Sequence, residues 1–288
     1  MAGSGPPRDR RWVSVPGVLP AQPRNVPAVA STARSAVGGL LREWRQRRRL
    51  SQLDLALETG ISTRHLSFVE TGRSTPSRDV VLRLTEALGL PLRERNRLLL
   101  AAGYAPVFGE SPLAAPGLAA VSEAVRHVLA GHEPYPAVVV DRWWNLVDAS
   151  SGVAVLTDGV APELLEPPAN VLRAALHPDG LAPRILNLGQ WREHLLARLR
   201  QQVEVTADPE LTELLAELRS YPGPDIRARP EPAPSLVVPL RIRHGDRALA
   251  FVSTVTTFGT PLDVTVAELV IESFFPADEA TAKALRRG

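Results

Sequence analysis

The sequence predicts two folded domains, an all-α bundle of five helices followed by an α+β domain with an antiparallel sheet. Apolar residues recur at helical spacing through residues 37–104, whereas residues 236–275 are rich in Val, Thr, Ile and Phe, which strands favour. Between them, residues 105–117 carry three prolines and two glycines, a composition typical of linkers. The charge divides similarly: residues 1–110 hold 17 arginines and 9 acidic residues, whereas residues 111–288 hold 16 basic and 22 acidic residues.

The composition excludes several classes of protein. The 288 residues contain no cysteine, which rules out a disulfide scaffold, a cysteine-ligated metal site and a cysteine nucleophile. No apolar run approaches the roughly 18 to 20 residues that span a bilayer, and the N-terminus lacks the apolar core of a secretory signal. We therefore expect a soluble, cytoplasmic protein without a membrane partner. The net charge of +8 on residues 1–110 indicates that the first domain meets a polyanion.

The predicted organisation has four parts. Residues 1–34 are rich in Pro, Gly, Ser and Arg without apolar periodicity, which predicts a disordered arm. The helical bundle follows over 35–104, the linker over 105–117, and the α+β domain over 118–288. In the last, we expect helices near 118–131, 169–176, 188–203 and 208–220, and strands over 137–147, 236–242, 247–258 and 264–275. A short closing helix is expected to begin within 276–280. The segment 264–275 equally suits a helix.

Two short helices in the first domain are joined by a three-residue turn. Ser51 can cap the first helix, Gly60 ends it, and Ser62 can cap the second. Apolar residues occur where the helices must face the core, and Ile61 fills the corner between them. This pattern predicts a helix-turn-helix, whose inward residues are Leu55, Ala56, Leu66 and Val69.

The second of these helices suits the major groove of double-stranded DNA, where its first turns would face base edges. An arginine such as Arg64 can bond guanine O6 and N7 in bidentate fashion, and Thr63 can touch a thymine methyl. The alternative is an ordinary helical bundle with a solvated arginine face. The candidate base-contacting residues are Thr63, Arg64, Ser67 and Phe68, and the candidate phosphate-contacting residues are Gln52, Arg73, Arg48 and Arg49.

The combination of Gln52, Ala56, Gly60, Ile61 and residues 70–72 (Glu-Thr-Gly) resembles the xenobiotic-response-element family of helix-turn-helix regulators. The resemblance covers residues 37–90, and the family includes the lambdoid phage repressors. It implies that Arg45 of the first helix and Glu70 form a structural ion pair. The base-reading glutamines of those repressors are replaced here, so the resemblance does not supply the operator sequence.

The second domain has no catalytic motif: the sequence lacks a glycine-rich phosphate loop, a nucleophile elbow and a histidine–glutamate zinc helix. We therefore expect no catalytic residue, no metal site and no cofactor. Aromatic and polar residues do stand out, either as ordinary core or as the walls of an apolar ligand cavity. The candidate ligand-binding residues are Trp143, Trp144, Asn145, His177, Trp191, Arg192, Phe251 and Phe258.

Several segments of this domain are similar to the MmyB-like ligand-binding domain. They are 141–147, 177–181, 208–211, 256–263 and 274–278. The similarity spans nearly all of 105–285 and implies a PAS-like fold with an interior that can hold a fatty acid. The chain departs from the family at 148–152, where a further aromatic–Asn pair is often found, so the size and polarity of the cavity are expected to differ.

Within the candidate set, Arg192 and His177 are the residues we expect at the polar end of a ligand, whereas Asn145 can instead tie its strand to a neighbouring loop. Together these features predict a homodimeric transcription regulator that binds a double-stranded DNA operator and senses a small, largely apolar, fatty-acid-like molecule. Two alternatives are a DNA-tethered protein-interaction module and an enzyme that acts on the bound ligand.

Overall fold

The computed structural model describes residues 28–223 and 237–286. The N-terminal domain is an α-helical bundle, as predicted. Its first helix begins ahead of the predicted boundary at residue 35, and residues 1–27 of the predicted disordered arm lie outside the described residues. The helices are α1 (Ala28–Arg47), α2 (Gln52–Thr59), α3 (Thr63–Glu70), α4 (Arg78–Ala87) and α5 (Leu92–Ala101).

Local capping sets the ends of α2 and α3. The Ser51 hydroxyl accepts a hydrogen bond from the Asp54 N–H at 3.1 Å, and the Asp54 carboxylate accepts one from the Ser51 N–H at 3.0 Å. Gly60 ends α2 with φ of 65°, a left-handed conformation that is unstrained only without a Cβ. Ser62 caps α3 through the His65 N–H at 3.1 Å. These are the caps that the sequence predicts.

A close helix crossing holds the bundle together. A Cβ at Gly38 of α1 would lie 2.3 Å from the carbonyl oxygen of Val69, so only glycine lets α1 approach α3 this closely. Around the crossing, the apolar faces of all five helices meet in one core. Its fully buried members include Val37, Leu41, Leu55, Leu66, Val69, Leu84 and Leu99.

The C-terminal domain is built on a five-stranded antiparallel sheet with the order β2-β1-β5-β4-β3. The predicted meander of three strands is confirmed, and the earlier segment supplies the two further strands. The strands are β1 (Ala137–Val140), β2 (Leu146–Ala149), β3 (Leu240–His244), β4 (Arg247–Thr256) and β5 (Val270–Pro276). The longer helices are α6 (Ala119–His132), α8 (Val171–Leu176), α9 (Leu188–Thr206), α10 (Pro209–Ser220) and α12 (Glu279–Arg286), and shorter ones are α7 (Ala154–Thr157) and α11 (Val264–Glu268).

The two faces of the sheet bury different clusters, because successive side chains of a strand point to opposite faces. Val139 and Ile271, which are register partners on β1 and β5, pack with Val125 and Leu129 of α6. The other face meets α9 and α10 in the main core. That core contains Val138, Phe251, Phe274, Leu195, Leu199 and Leu214.

Two predicted strands have a different form. The segment 137–147 turns after Val140, because the Asp141 carboxylate accepts hydrogen bonds from the Trp143 and Asn145 N–H groups at 2.8 and 2.9 Å. The segment 264–275 contains both of the structures that its sequence suits. Asp263 caps the short α11 through the Thr265 N–H at 2.8 Å, and β5 begins at Val270.

The predicted linker is bonded to both domains. The Asn96 side chain of α5 accepts from the Val107 N–H at 3.0 Å and donates to the Phe108 carbonyl at 2.8 Å. Further along, the Gly109 carbonyl accepts from the Val264 N–H at 2.7 Å. Residues 107–109 therefore fasten α5 to α11, rather than forming a free tether.

Candidate functional site

The N-terminal half of α3 has its first two residues exposed. Thr63 and Arg64 are exposed, whereas Ser67 and Phe68 are half-buried. The Phe68 ring lies beneath the guanidinium groups of Arg64 and Arg73, at 5.3 and 5.9 Å from the ring centroid. Two cations thus flank one aromatic ring on the predicted DNA-facing surface, where both remain open to an anionic partner.

A buried ion pair fixes α1 against the end of α3. The Arg45 Nε and Nη2 atoms donate to the two carboxylate oxygens of Glu70 at 2.7 and 2.9 Å, in the bidentate geometry that favours arginine. The hydrogen bonds to Glu70 raise the pKa of Arg45 above its ordinary value. The pair that the family resemblance implies is therefore present in the structure.

The four candidate phosphate contacts fall into two groups. Arg49 and Arg73 are exposed, and Arg49 has φ of 56° just after α1. The Gln52 side chain donates a hydrogen bond to Glu70 at 2.8 Å. The Arg48 guanidinium donates one at 3.0 Å to the carbonyl of Leu88, the residue that follows α4. Arg48 and Gln52 are thus occupied by contacts within the bundle, and sequence spacing alone did not reveal those contacts.

An apolar cavity of about 120 Å³ lies between the inner face of the sheet and helices α8 and α9. Trp144 and Trp191 line it, together with residues that the sequence did not single out. Prominent among the latter are Val138, Leu172, Leu195, Glu272 and Phe274.

The other candidate aromatics are placed elsewhere. Phe251 is fully buried in the main core against Phe274, and Phe258 packs with the cluster on the opposite face of the sheet. Trp143 lies beneath the Arg142 guanidinium at 4.2 Å. None of the three is among the residues that line the cavity. Phe251 is part of the main core, and Trp143 and Phe258 are partly buried side chains that pack against the two clusters.

The polar candidates also differ from expectation. Arg192 donates to the Leu218 and Arg219 carbonyls at 3.2 and 2.9 Å, which closes the end of α10. His177 begins a turn, with its Nδ1 accepting from the Asp179 N–H at 3.1 Å. Asn145 donates to the Asp141 carboxylate at 3.0 Å, so it ties the turn after β1. Arg192, His177 and Asn145 are not among the described residues that line this cavity.

Glu272, a buried acid on the inner face of β5, is not among the predicted site residues. Arg198 of α9 donates to both of its carboxylate oxygens at 2.9 and 3.1 Å. The Arg198 guanidinium also lies over the Trp144 ring at 4.9 Å. A glutamate within the apolar run of residues 270–276 was the available signal, because an inward acid on a buried strand requires a partner.

A second, polar cleft of about 580 Å³ separates the two domains on the other side of Trp144. Arg93 of α5 crosses it and donates twice to Glu268 of α11, both at 2.9 Å. Arg142 pairs with Asp208 and lies 3.5 Å from Glu268. The Trp144 side chain thus stands between the apolar cavity and an ion-pair network that joins the domains.

The described residues show neither a metal-binding cluster nor a membrane-spanning helix. No group of three or more His, Cys, Asp or Glu residues within 28–223 and 237–286 is arranged to hold a metal ion. Among the same residues, no helix has both the length and the apolar character needed to cross a membrane.

Comparison with known proteins finds relatives of both domains. Residues 41–95 match a family model for helix-turn-helix domains, and residues 121–287 match the MmyB-like transcription regulator ligand binding domain. Uncharacterized HTH-type transcriptional regulators of Mycobacterium bovis and Mycobacterium tuberculosis are 40% identical over 70 residues, 24% of this chain. The match spans 27% of the length of each relative.

Two solved structures are similar to about a quarter of the chain. The restriction-modification controller protein C.AhdI from Aeromonas hydrophila is 34% identical over 22% of this chain and 94% of its own, with a TM-score of 0.21. The clp gene regulator ClgR from Corynebacterium glutamicum is 28% identical over 25% of this chain and 88% of its own, with a TM-score of 0.22. The ligand-binding family model covers more than half of the chain. The chain therefore belongs to the MmyB-like transcription regulators, with a helix-turn-helix DNA-binding domain followed by a ligand-binding domain.

Proposed function

We propose that this regulator binds its operator as a homodimer and responds to a small, largely apolar ligand with a short, fatty-acid-like chain. The observation that carries the proposal is the cavity between the sheet and α9, whose lining is almost entirely apolar. A cavity of 120 Å³ resembles the engineered protein cavities of about 150 Å³ that bind benzene. We also propose that the two domains comprise residues 35–104 and 118–288, and that the protein acts in the cytoplasm.

The surface of α3 supports recognition of DNA bases by Thr63, Arg64, Ser67 and Phe68. Arg64 is exposed near the start of the helix, where the first turns enter a major groove. Arg73 follows the helix, where it can meet a phosphate. Arg49 is a second exposed cation at the end of α1, whereas Arg48 and Gln52 would have to exchange their present partners for a phosphate.

Trp144 offers a route from the ligand to the DNA-binding domain. Its indole N–H donates to Gln202 at 2.7 Å, and Gln202 donates to the Arg142 carbonyl at 2.7 Å. Arg142 and Arg93 share Glu268 across the domain boundary. A ligand that binds better when Trp144 is displaced would favour another domain arrangement, since only differential affinity shifts such an equilibrium.

Gel-shift assays with the whole chain test the assignment of α3. Arg64→Ala is expected to lose preference for the operator over unrelated DNA, by about 1–3 kcal/mol of discrimination. Arg73→Ala is expected to weaken binding to all sequences alike and to reduce the salt slope by about 0.9. If both variants bind with the affinity and selectivity of the unmodified protein, the assignment of α3 as the recognition helix is wrong.

A further inference from the structure

We propose that the polar end of the ligand is an uncharged hydrogen-bond donor, such as a hydroxyl group, and that Glu272 receives it. This inference rests on the proposed sensing function. It concerns the chemical class of the ligand. Among the described residues that line the cavity, Glu272 is the one that carries a charge.

Glu272 occupies an unusual position for an acid. It lies at 4% exposure on β5, on the same face as Phe274, with Trp144 also in the cavity wall. Its carboxylate accepts two hydrogen bonds, both from Nη1 of Arg198. Two carboxylate oxygens have about four acceptor positions, so Glu272, a residue of the cavity wall, retains acceptor capacity beyond these two hydrogen bonds.

The cation that balances Glu272 lies behind it. Arg198 lines the polar cleft between the domains and is not among the residues that line the apolar cavity. Of this ion pair, it is therefore Glu272 and not Arg198 that a ligand inside the cavity would contact. A ligand hydroxyl can donate to it, whereas an ionised ligand carboxylate would be desolvated beside a like charge.

Displacement of Glu272 by an anionic ligand is also unfavourable. An anion that took Arg198 would leave the Glu272 carboxylate buried without its partner, which costs more than the pair contributes. Arg198 is further held over the Trp144 ring at 4.9 Å. The site thus discriminates against carboxylates through the charge already present in its wall.

The experiment compares three probes of similar chain length, since a cavity of this volume suits about six carbons. They are hexan-1-ol, which donates and accepts; methyl pentyl ether, which only accepts; and hexanoate, which is ionised at pH 7. Calorimetric titration of the whole chain measures each affinity, and the indole NMR signals of Trp144 and Trp191 locate the binding. We expect hexan-1-ol to bind about tenfold more tightly than hexanoate, with the ether weaker than the alcohol.

The variant Glu272→Gln removes the charge and retains the shape. It is expected to reduce the preference for hexan-1-ol over hexanoate several-fold. Glu217→Gln is the matched control, because Glu217 pairs with Arg173 at 2.8 Å and lies outside the cavity lining. It is expected to leave the preference unchanged.

The outcomes separate the two proposals. Hexanoate binding as tightly as the alcohol, or the ether matching it, overturns the assignment of a donor while leaving an apolar-ligand sensor in place. An unchanged preference in Glu272→Gln overturns the role of that residue. If none of the three probes binds in the cavity, the proposed sensing function itself fails. The affinities of the three probes for the unmodified protein test the proposed class of ligand even if the Glu272→Gln variant does not fold.

Discussion

Replacement of Glu70 by leucine tests the buried pair that joins α1 to α3. The Glu70 side chain is 2% exposed and accepts three hydrogen bonds, two from Arg45 and one from Gln52 at 2.8 Å. Glu70→Leu keeps a similar volume but leaves the Arg45 guanidinium, which is 11% exposed, without a counter-charge. Loss of one partner from such a pair costs about 3–5 kcal/mol, a large part of the ~5–15 kcal/mol that stabilises a typical domain.

Two further variants separate the ion pair from general effects of charge. Glu43→Gln removes an exposed partner of Arg47 in the same helix, at 2.7 Å, and is expected to cost about 0.5 kcal/mol or less. The double variant Arg45→Met with Glu70→Leu removes both buried charges. It is expected to recover most of the loss, because no unpaired charge then remains in the core.

Hydrogen exchange of the α1 and α3 amides over a urea series measures the stability of this domain within the intact chain. We expect Glu70→Leu to be much less stable than the double variant, and Glu43→Gln to be about as stable as the unmodified protein. A loss below about 1 kcal/mol in Glu70→Leu, or a double variant no more stable than the single one, would refute the reasoning that an unpaired guanidinium is the source of the cost.

Two other predictions concern packing and pH. Gly38→Ala is expected to destabilise the bundle by about 2 kcal/mol, because the added Cβ would overlap backbone oxygens at 2.3 and 2.8 Å. Gly39→Ala, whose Cβ would have nothing within 4 Å, is expected to stabilise the bundle by about 0.5–1 kcal/mol in thermal unfolding. Equal effects of the two substitutions would contradict the close crossing of α1 and α3. Burial, and then the charge of Arg198, lower the pKa of His194 below its ordinary 6.5, so the folded protein binds this proton less readily than the unfolded chain. This contribution to stability is present above pH 6.5 and is lost as the pH falls below that value. His194→Gln is expected to flatten this part of the plot of unfolding free energy against pH. An unchanged plot would show that His194 is not the source of the pH dependence.

The helix-turn-helix was predictable because its determinants are local. The Ser51 and Ser62 caps, the left-handed Gly60 and the helical spacing of Leu66 and Val69 each act within a few residues. Such signals are complete in a short stretch of sequence, so both the existence of the helices and the exposed side of α3 could be anticipated. The division into two domains was visible for the same reason, since composition changes abruptly at the linker.

The segment 264–275 shows where local information becomes ambiguous. Its residues suit a helix and a strand almost equally, and the structure uses both, with α11 capped by Asp263 and β5 paired with β1 and β4. The division between them depends on two strands that are distant in sequence, which no local pattern specifies.

The tertiary structure decided which residues line the apolar cavity. Trp144 and Phe258 are both large aromatics near strands, yet register and strand direction place them against different clusters. Arg192 is drawn to the end of α10 by two carbonyl groups, whereas Glu272 is brought to the cavity by the pairing of β5 with β1. The sequence by itself determined the DNA-binding motif and the two-domain order, because caps and helical periodicity are short-range. Only the folded chain determined which residues line the cavity and which charge a ligand would meet, because those depend on contacts between distant segments.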